Sequence, residues 1–399
     1  MSTRTDADPR RGSGSRGHLP RFTSAVPDRS MRVLMISKAL VTGVYQKKLE
    51  ELASHPDIEL LAVVPSCWNE RRVGNIRLAR RFTEGYTLAE EHMRFNGRHH
   101  IHYYPGLAKH VHAFRPDLMH IDEEPYNLVT AHATRLARQI GARTIFFTWQ
   151  NLDRRYPPPF SLFERYCYRH AAAALAGNED ARSVLRRKGF RGPVEVIPQF
   201  GVDPEIFQPP ATGRDVTREF TIGYYGRLVP EKGIDTLIDA VALLDPRPRV
   251  IIVGSGERRP QLEARAAQRG LSGRVEFREA IPSDAIPALL AELDVVVVPS
   301  RTRPNWKEQF GRVIVESMAC EVPVIGSDSG EIPSVIGDAG LVFPEGDASA
   351  LAACVKSLSL DREQARLLGQ AGRERVMRCY TQREIARATR EVYLRVMDR

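Results

Sequence analysis

The chain has 399 residues, 42% of them apolar, and a formal charge of +9 carried by 50 Arg and 8 Lys against 49 acids. That length suits two domains of ordinary size, and no apolar run approaches the roughly 18 residues of a membrane-spanning helix. A basic surface attracts nucleic acid, anionic membrane or phosphorylated ligands, but with no helix-turn-helix, zinc-finger or RNA-binding signature no nucleic acid partner is expected.

Residues 1–30 hold Gly, Ser, Pro, six Arg and three Asp without the apolar stretch of a signal peptide. They read as a disordered basic extension, with folding starting near Met31. Segment 31–40 then reads as a strand leading to a turn at Gly43, residues 44–54 as a helix, and 58–65 as a second strand. The densest basic stretch, RRVGNIRLARRF at 71–82, reads as a solvated or acceptor-facing helix. Contact with an anionic membrane through Arg71, Arg72, Arg77, Arg80 and Arg81 is the sharper alternative. Short apolar runs follow at 99–106, 117–122, 143–150, 171–177 and 194–198, with helical stretches between most of them. The rhythm is that of parallel strands with helical crossovers. Five scattered cysteines show no metal-type spacing and suit free thiols in a cytoplasm.

Two places in this first half carry polar groups at a strand end. LMHIDEEPYN, at 118–127, sets His120, Asp122, Glu123 and Glu124 before a helix. Adjacent acids there need solvent or partners; Asp122 or Glu123 either binds acceptor hydroxyls or caps the helix, and His120 reads as a packed strand residue. FFTWQN, at 146–151, offers Trp149 to stack on a sugar face, or simply to be buried, and Asn151 to hydrogen-bond one. A stiff, proline-rich loop, DRRYPPPF, follows.

The Pro-rich segment DPEIFQPPATGRD divides the chain, and a second strand series begins at FTIGYYG. In GYYGRLVPEKG, at 223–233, a strand ends at Gly226, with Arg227 and Lys232 ahead of a helix near Gly233. Arg grips two phosphate oxygens and Lys acts as a point charge, a pair suited to a departing diphosphate. VGSGE, at 253–257, is a Gly-rich turn, and Ser283 is placed to cap the helix after FREAIP. Segment 299–345 is the most informative. Glu308 follows the strand DVVVVPS, and Glu316 lies inside the helical pattern RVIVESMAC. The helix starts at Phe310-Gly311 between them, where open N–H groups and the helix dipole make an anion site. One acid can take sugar hydroxyls, the other ribose hydroxyls, and the N–H groups the diphosphate.

This segment resembles the signature of the retaining glycosyltransferases of family four. Their two glutamates match Glu308 and Glu316, and EVPVIGSDSGEIPSVIGDAGLVF follows their pattern. Glu321 stands where a glycine is usual, and Ser329-Gly330 replaces a glycine pair. The family's diphosphate segment is matched at Gly226, Arg227 and Lys232. The resemblance implies an α/β protein of the GT-B fold, with two doubly wound Rossmann-like domains facing each other across a cleft. The expected divisions are 31–204 on the acceptor side, 205–379 on the nucleotide-sugar side, and 380–399 as a helix crossing back to the first domain. It also implies that Gly254 lies beside the nucleotide, that the stretch from Arg278 to Ile281 runs along the base, and that Gly43 nears the donor phosphate and acceptor. The histidine that relatives place near the reacting centre falls about at His120.

The expectation is a retaining, metal-independent transferase that takes a nucleoside-diphosphate sugar and needs no cofactor. Glu308, Arg227 and Lys232 would carry the chemistry. The acceptor would be sugar-containing or lipid-linked, and the protein cytoplasmic with peripheral contact at the membrane's inner face as an option. A nucleotide-sugar epimerase of the same fold and a non-catalytic sugar-nucleotide-binding protein are the alternatives.

Overall fold

A computed structural model describes residues 30–70, 74–210 and 218–398. The expected extension through residue 29, Arg71, Arg72 and linker residues 211–217 lie outside them.

The first half folds as β1 (Met31–Ile36), α1 (Lys47–Ala53), β2 (Ile58–Val64), β3 (Cys67–Glu70), β4 (Gly74–Arg77) and β5 (Thr87–Glu90). Then come α2 (Leu107–Phe114), β6 (Leu118–Ile121), α3 (Leu128–Gln139) and β7 (Arg143–Thr148). It ends with α4 (Phe160–His170), β8 (Ala173–Ala176), α5 (Glu179–Arg187) and β9 (Val194–Val196). Seven parallel strands form one sheet in the order β5-β2-β1-β6-β7-β8-β9. Its strands are apolar on both faces because helices cover both.

The second half folds as β10 (Thr221–Tyr225), α6 (Ile234–Ala242), β11 (Arg249–Val253), α7 (Arg259–Gln268) and β12 (Val275–Arg278). α8 (Ile286–Ala291), β13 (Val295–Val298), α9 (Arg312–Ala319), β14 (Val324–Ser327), α10 (Ile332–Ile336) and β15 (Leu341–Phe343) follow. α11 (Ala348–Leu360), α12 (Arg362–Cys379) and α13 (Gln382–Met397) complete the chain. Its six parallel strands run β12-β11-β10-β13-β14-β15. In each sheet the order reverses at the first strand, so the crevice for a ligand lies beyond the carboxyl ends of β1/β6 and of β10/β13.

The two crossovers between halves run side by side at Val202 and Thr381, where the Val202 amide donates to Tyr380 O (2.9 Å) and the Gln382 amide to Val202 O (3.0 Å). Beyond that crossing α13 lies on the first sheet. Its Ile385, Val392, Tyr393 and Val396 join the core of β1, β2 and α1, and Arg390 forks onto Asp57 at 2.6 Å.

Three local expectations are corrected. The described part of the basic stretch 71–82 is no helix: β4 pairs antiparallel with β3, and Ile76 lies opposite the buried Trp68. The Trp68–Ile76 cross-strand pair and the left-handed Gly74 at the start of β4 favour that hairpin. The run 99–106 is no strand, because the Ile101 and His102 amides both turn back onto Arg98 O. Ser283 caps nothing with its side chain; it opens a single 3-10 turn before α8.

Candidate functional site

A cavity of about 480 Å³ opens at the carboxyl end of the second sheet. Gly226 and Gly254 form its floor, and their backbones nearly touch: a Cβ on Gly254 would sit 1.9 Å from Gly226 O. No side chain fits there, so the strand ends can meet a ligand closely. One wall is the start of α9. Gly311 is its N-cap, without a side-chain cap, and Arg312 and Val313 face the cavity with it. Open amides at the positive end of a helix suit a phosphate.

The two glutamates close the opposite ends. Glu308 Oε2 accepts Lys232 Nζ at 2.5 Å and Ser300 Oγ at 2.9 Å, while Oε1 has no partner among the described residues. One oxygen is thus fixed and the other is open to a sugar hydroxyl. The peptide of Glu308 is itself held, since Glu331 N donates to its carbonyl at 3.1 Å. A Cβ on Gly330 would approach that carbonyl to 2.1 Å, and so the glycine retained in Ser329-Gly330 matters. Glu316 Oε1 accepts Arg312 Nη2 at 2.7 Å and its Oε2 the Tyr225 hydroxyl at 3.3 Å. Lys232 also sits over the Trp306 ring, 5.1 Å from its centre, and Arg227 is half exposed with only a loose 3.7 Å approach to Glu231. Arg227 is therefore free to turn towards an anion.

The remaining donor-side candidates divide. Ile281 lines the cavity with Ala280. Arg278 does not: its guanidinium is held by Glu276 (2.7 Å) and Glu292 (2.9 Å), and its carbonyl by the Gly254 amide. Phe310 points into the core beside Trp149 and Tyr380, anchoring the start of α9 rather than touching the cavity. Arg312 and Tyr225 were not foreseen. A signal for Arg312 existed, since it stands four residues before Glu316 on a predicted helix.

Most acceptor-side candidates are withdrawn from the cleft. Gly43 packs against Ala79 and Arg81. His120 is fully buried and pairs with the Tyr393 hydroxyl at 2.6 Å. Asp122 is buried on Gln199 (2.9 Å), and Gln199 also takes the Trp149 indole N–H (2.9 Å). Glu123 is buried against Lys38 and His102; burial works to raise its pKa, but Lys38 and His102 together outweigh it and hold the carboxyl at about 2. Only Asn151 reaches a cleft cavity, a smaller one of about 130 Å³ shared by Tyr126, Gln150, Tyr156, Trp306 and Gln309. Strand-end position alone does not separate a buried, partnered acid from a cleft-facing one.

The cleft is latched where that small cavity lies. Gln309 donates to Trp149 O (2.7 Å), Asn178 to Gln309 O (2.7 Å) and Asn151 to Lys307 O (3.3 Å). Lys307 also pairs with Asp180, Arg154 donates to Asn305 O, and Arg312 to the Tyr45 hydroxyl. The loop carrying Glu308 is therefore held from both halves.

Known proteins resemble this chain in sequence and in fold. Residues 210–375 match the family described as Glycosyl transferases group 1, and 52–199 the Glycosyl transferase 4-like domain. The 2-deoxystreptamine glucosyltransferase of Streptomyces kanamyceticus is 30% identical over 63% of this chain and 65% of its own. The GDP-mannose-dependent alpha-(1-6)-phosphatidylinositol monomannoside mannosyltransferase of Mycolicibacterium smegmatis is 35% identical over 60% of this chain and 74% of its own. The chain spans half the length of the Mycobacterium tuberculosis enzyme of the same name. Among solved structures, Anabaena HepE in complex with UDP superposes with a TM-score of 0.70 at 18% identity, over 91% of this chain and 99% of that one, a likeness of fold.

Proposed function

Since the chain belongs to the glycosyl transferases group 1 family and has the GT-B fold, we propose that it moves a sugar from a nucleoside diphosphate sugar to an acceptor hydroxyl with retention at the anomeric carbon. The observation that carries this is the convergence of Lys232, Glu308, Glu316 and the open start of α9 on one cavity at the second sheet's switch point. In this reading the diphosphate lies against the α9 amides with Arg227 and Lys232 alongside. Glu316 accepts from the ribose hydroxyls, steadied by Arg312 and Tyr225. The free oxygen of Glu308 accepts from a hydroxyl of the donor sugar.

The bond from the anomeric carbon to the diphosphate breaks as the acceptor oxygen bonds the same face, and the acceptor proton passes to the departing phosphate oxygen. Charge grows on that phosphate as the bond breaks, so cations placed there act on the transition state more than on the ground state. Arg227 and Lys232 supply that counter-charge without a metal. The relatives named above cover glucosyl and mannosyl transfer to a small polyol and to a glycolipid, and this chain's sugar, base and acceptor belong to the same open range.

A calorimetric panel of UDP- and GDP-sugars, followed by product analysis with short-chain lipid and aminocyclitol acceptors, tests the reading. Saturable binding of one donor and release of its nucleoside diphosphate alongside a new glycoside, undiminished by EDTA, is the expected result. Conversion of the donor to an isomer without any acceptor would point to an epimerase, and loss of activity reversed by a divalent cation would overturn the metal-free account.

No helix among the described residues is long and apolar enough to cross a membrane. Any peripheral contact would use Arg77 at the end of the hairpin and Arg80 and Arg81 just after it, rather than a helix face.

A further inference from the structure

A groove of about 820 Å³ runs along α3 and α4 in the first half. Leu128, Arg135 and Arg138 share one face of α3, and Tyr103, Phe163 and Tyr166 supply the facing walls. No carboxylate lines it. Arg138 bonds only neutral partners, the Tyr166 hydroxyl (3.4 Å) and His170 Nε2 (3.3 Å), and Arg135 has no partner among the described residues. His132 Nδ1 is buried there without a hydrogen bond. Neither guanidinium is neutralised by a carboxylate among the described residues, and two uncompensated arginines beside aromatic walls suit an anion from outside.

Two further observations say what kind of anion. Among the described residues before Phe200, the large apolar side chains that stand exposed are Phe95 (51%) and Leu162 (53%). Both neighbour residues that line the groove: Phe95 lies against Tyr103, with ring centres 6.3 Å apart, and Leu162 precedes Phe163 in α4. An apolar rim around a cationic, aromatic groove matches an amphiphile rather than a free phosphate. The groove also adjoins the cleft. The Leu128 amide donates to His100 O at 2.9 Å, and the His100 ring touches both Tyr126 (5.4 Å) and Tyr156 (5.9 Å), which line the small cleft cavity.

We infer that this groove seats the phosphate diester and acyl portion of a phospholipid-type acceptor, whose hydroxyl-bearing head enters the cleft beside Tyr126, Tyr156 and Trp306. This rests on the transferase reading above and narrows its acceptor to an amphiphile. Arg135 and Arg138 take the phosphate diester, the aromatic walls take the chain, and the cleft takes the head.

The test is calorimetry with dihexanoylphosphatidylglycerol kept below its micelle concentration, on the wild type and on Arg135→Ala/Arg138→Ala. Both arginines are exposed, so the variant should melt as the wild type does. The expected result is saturable binding by the wild type, weakened about tenfold or more in the variant, as loss of charge-assisted hydrogen bonds implies. Glycerol phosphate and dihexanoylphosphatidylcholine should bind at least tenfold more weakly. Nucleoside diphosphate affinity, read separately, should be the same in both proteins. Absence of lipid binding, equal binding by the variant, or equal binding of glycerol phosphate overturns the inference. Absence of nucleotide binding would instead count against the transferase reading.

Discussion

Glu316 hangs from the second turn of α9 between the Arg312 guanidinium and the Tyr225 hydroxyl. Both partners come from the wall of the same cavity, so the carboxylate is orientated before any ligand arrives. Glu316→Gln keeps the shape and removes the charge. Nucleotide affinity should fall about 10- to 150-fold, the equivalent of roughly 1.5–3 kcal/mol for a charge-assisted hydrogen bond, and unchanged affinity by calorimetry would assign Glu316 a structural role only. Glu124 behaves differently. Burial lifts its carboxyl to about 7, against the pull of the Thr148 hydroxyl and the Trp149 amide that it accepts from. The folded protein therefore binds this proton more tightly than the unfolded chain. The stabilisation it brings is complete below the ordinary value of 4.5 and is lost as pH rises through about 7. Glu124→Gln imitates the protonated form, so the melting temperature of the variant relative to wild type should climb between those two values and level off above them. A difference that stays constant across that window would mean that Glu124 ionises normally.

At the scale of elements, α9 and α5 show how much of the site can be read from residue order. The start of α9 at Gly311, the glutamates on either side of it and the cations after β10 follow from strand, turn and helix periodicity, because each is fixed by local chain direction. The fate of His120, Asp122, Glu123 and Phe310 does not, because burial depends on what other elements bring: Tyr393 from α13, Gln199 from the crossover, Lys38 from the turn after β1, and Trp149 from the end of β7. The unusual Glu321 lies between these cases. It follows the α9 C-cap at φ 56, a left-handed conformation costly for a residue with a Cβ. Its ion-pair partner among the described residues is Arg373, at a loose 4.0 Å. Glu321→Gly should raise stability by about 0.5–1 kcal/mol, the relief of left-handed strain less the added freedom of glycine in the unfolded chain, read as a higher urea midpoint with an unchanged slope. Asn178 couples an element to the site directly. Its Oδ1 caps α5 by accepting from the Ala181 amide at 2.8 Å, and its Nδ2 holds the Gln309 carbonyl beside Glu308. Asn178→Asp preserves the cap and sets a carboxylate against that carbonyl. Turnover should drop about tenfold for a lost bond of roughly 1–1.5 kcal/mol, and because Asn178 is buried the melting temperature should fall as well; unchanged turnover in the folded variant would show that this bond does not hold the loop.

For the molecule as a whole, the division of labour lies in what each half holds. The second half contains every group around the 480 Å³ cavity. The first half contributes the groups that fix the loop at 305–309 over it: Asn151, Arg154, Asn178 and Asp180. Two folded units would lie together without such bonds, since α13 already joins them through the core of the first sheet. Under the transferase reading, latching at the cleft mouth then serves the reaction more than the fold. An activated donor in an open cleft is exposed to water, and closing the mouth leaves the acceptor as the nucleophile at hand. Neither Arg154 nor Asp180 lines the cavity, and Asp180 is partly exposed, so the ion pair with Lys307 stabilises the fold by no more than about 1 kcal/mol. Arg154→Ala with Asp180→Asn should leave nucleoside diphosphate affinity unaltered, because Tyr225, Arg312 and Glu316 are untouched. It should raise the share of donor lost to hydrolysis severalfold relative to transfer. The ratio of free sugar to glycoside, measured at saturating acceptor, decides the matter. If that ratio stays at the wild-type value while the two bonds are gone, water is kept out by the cavity walls alone and the latch is only part of the packing between halves.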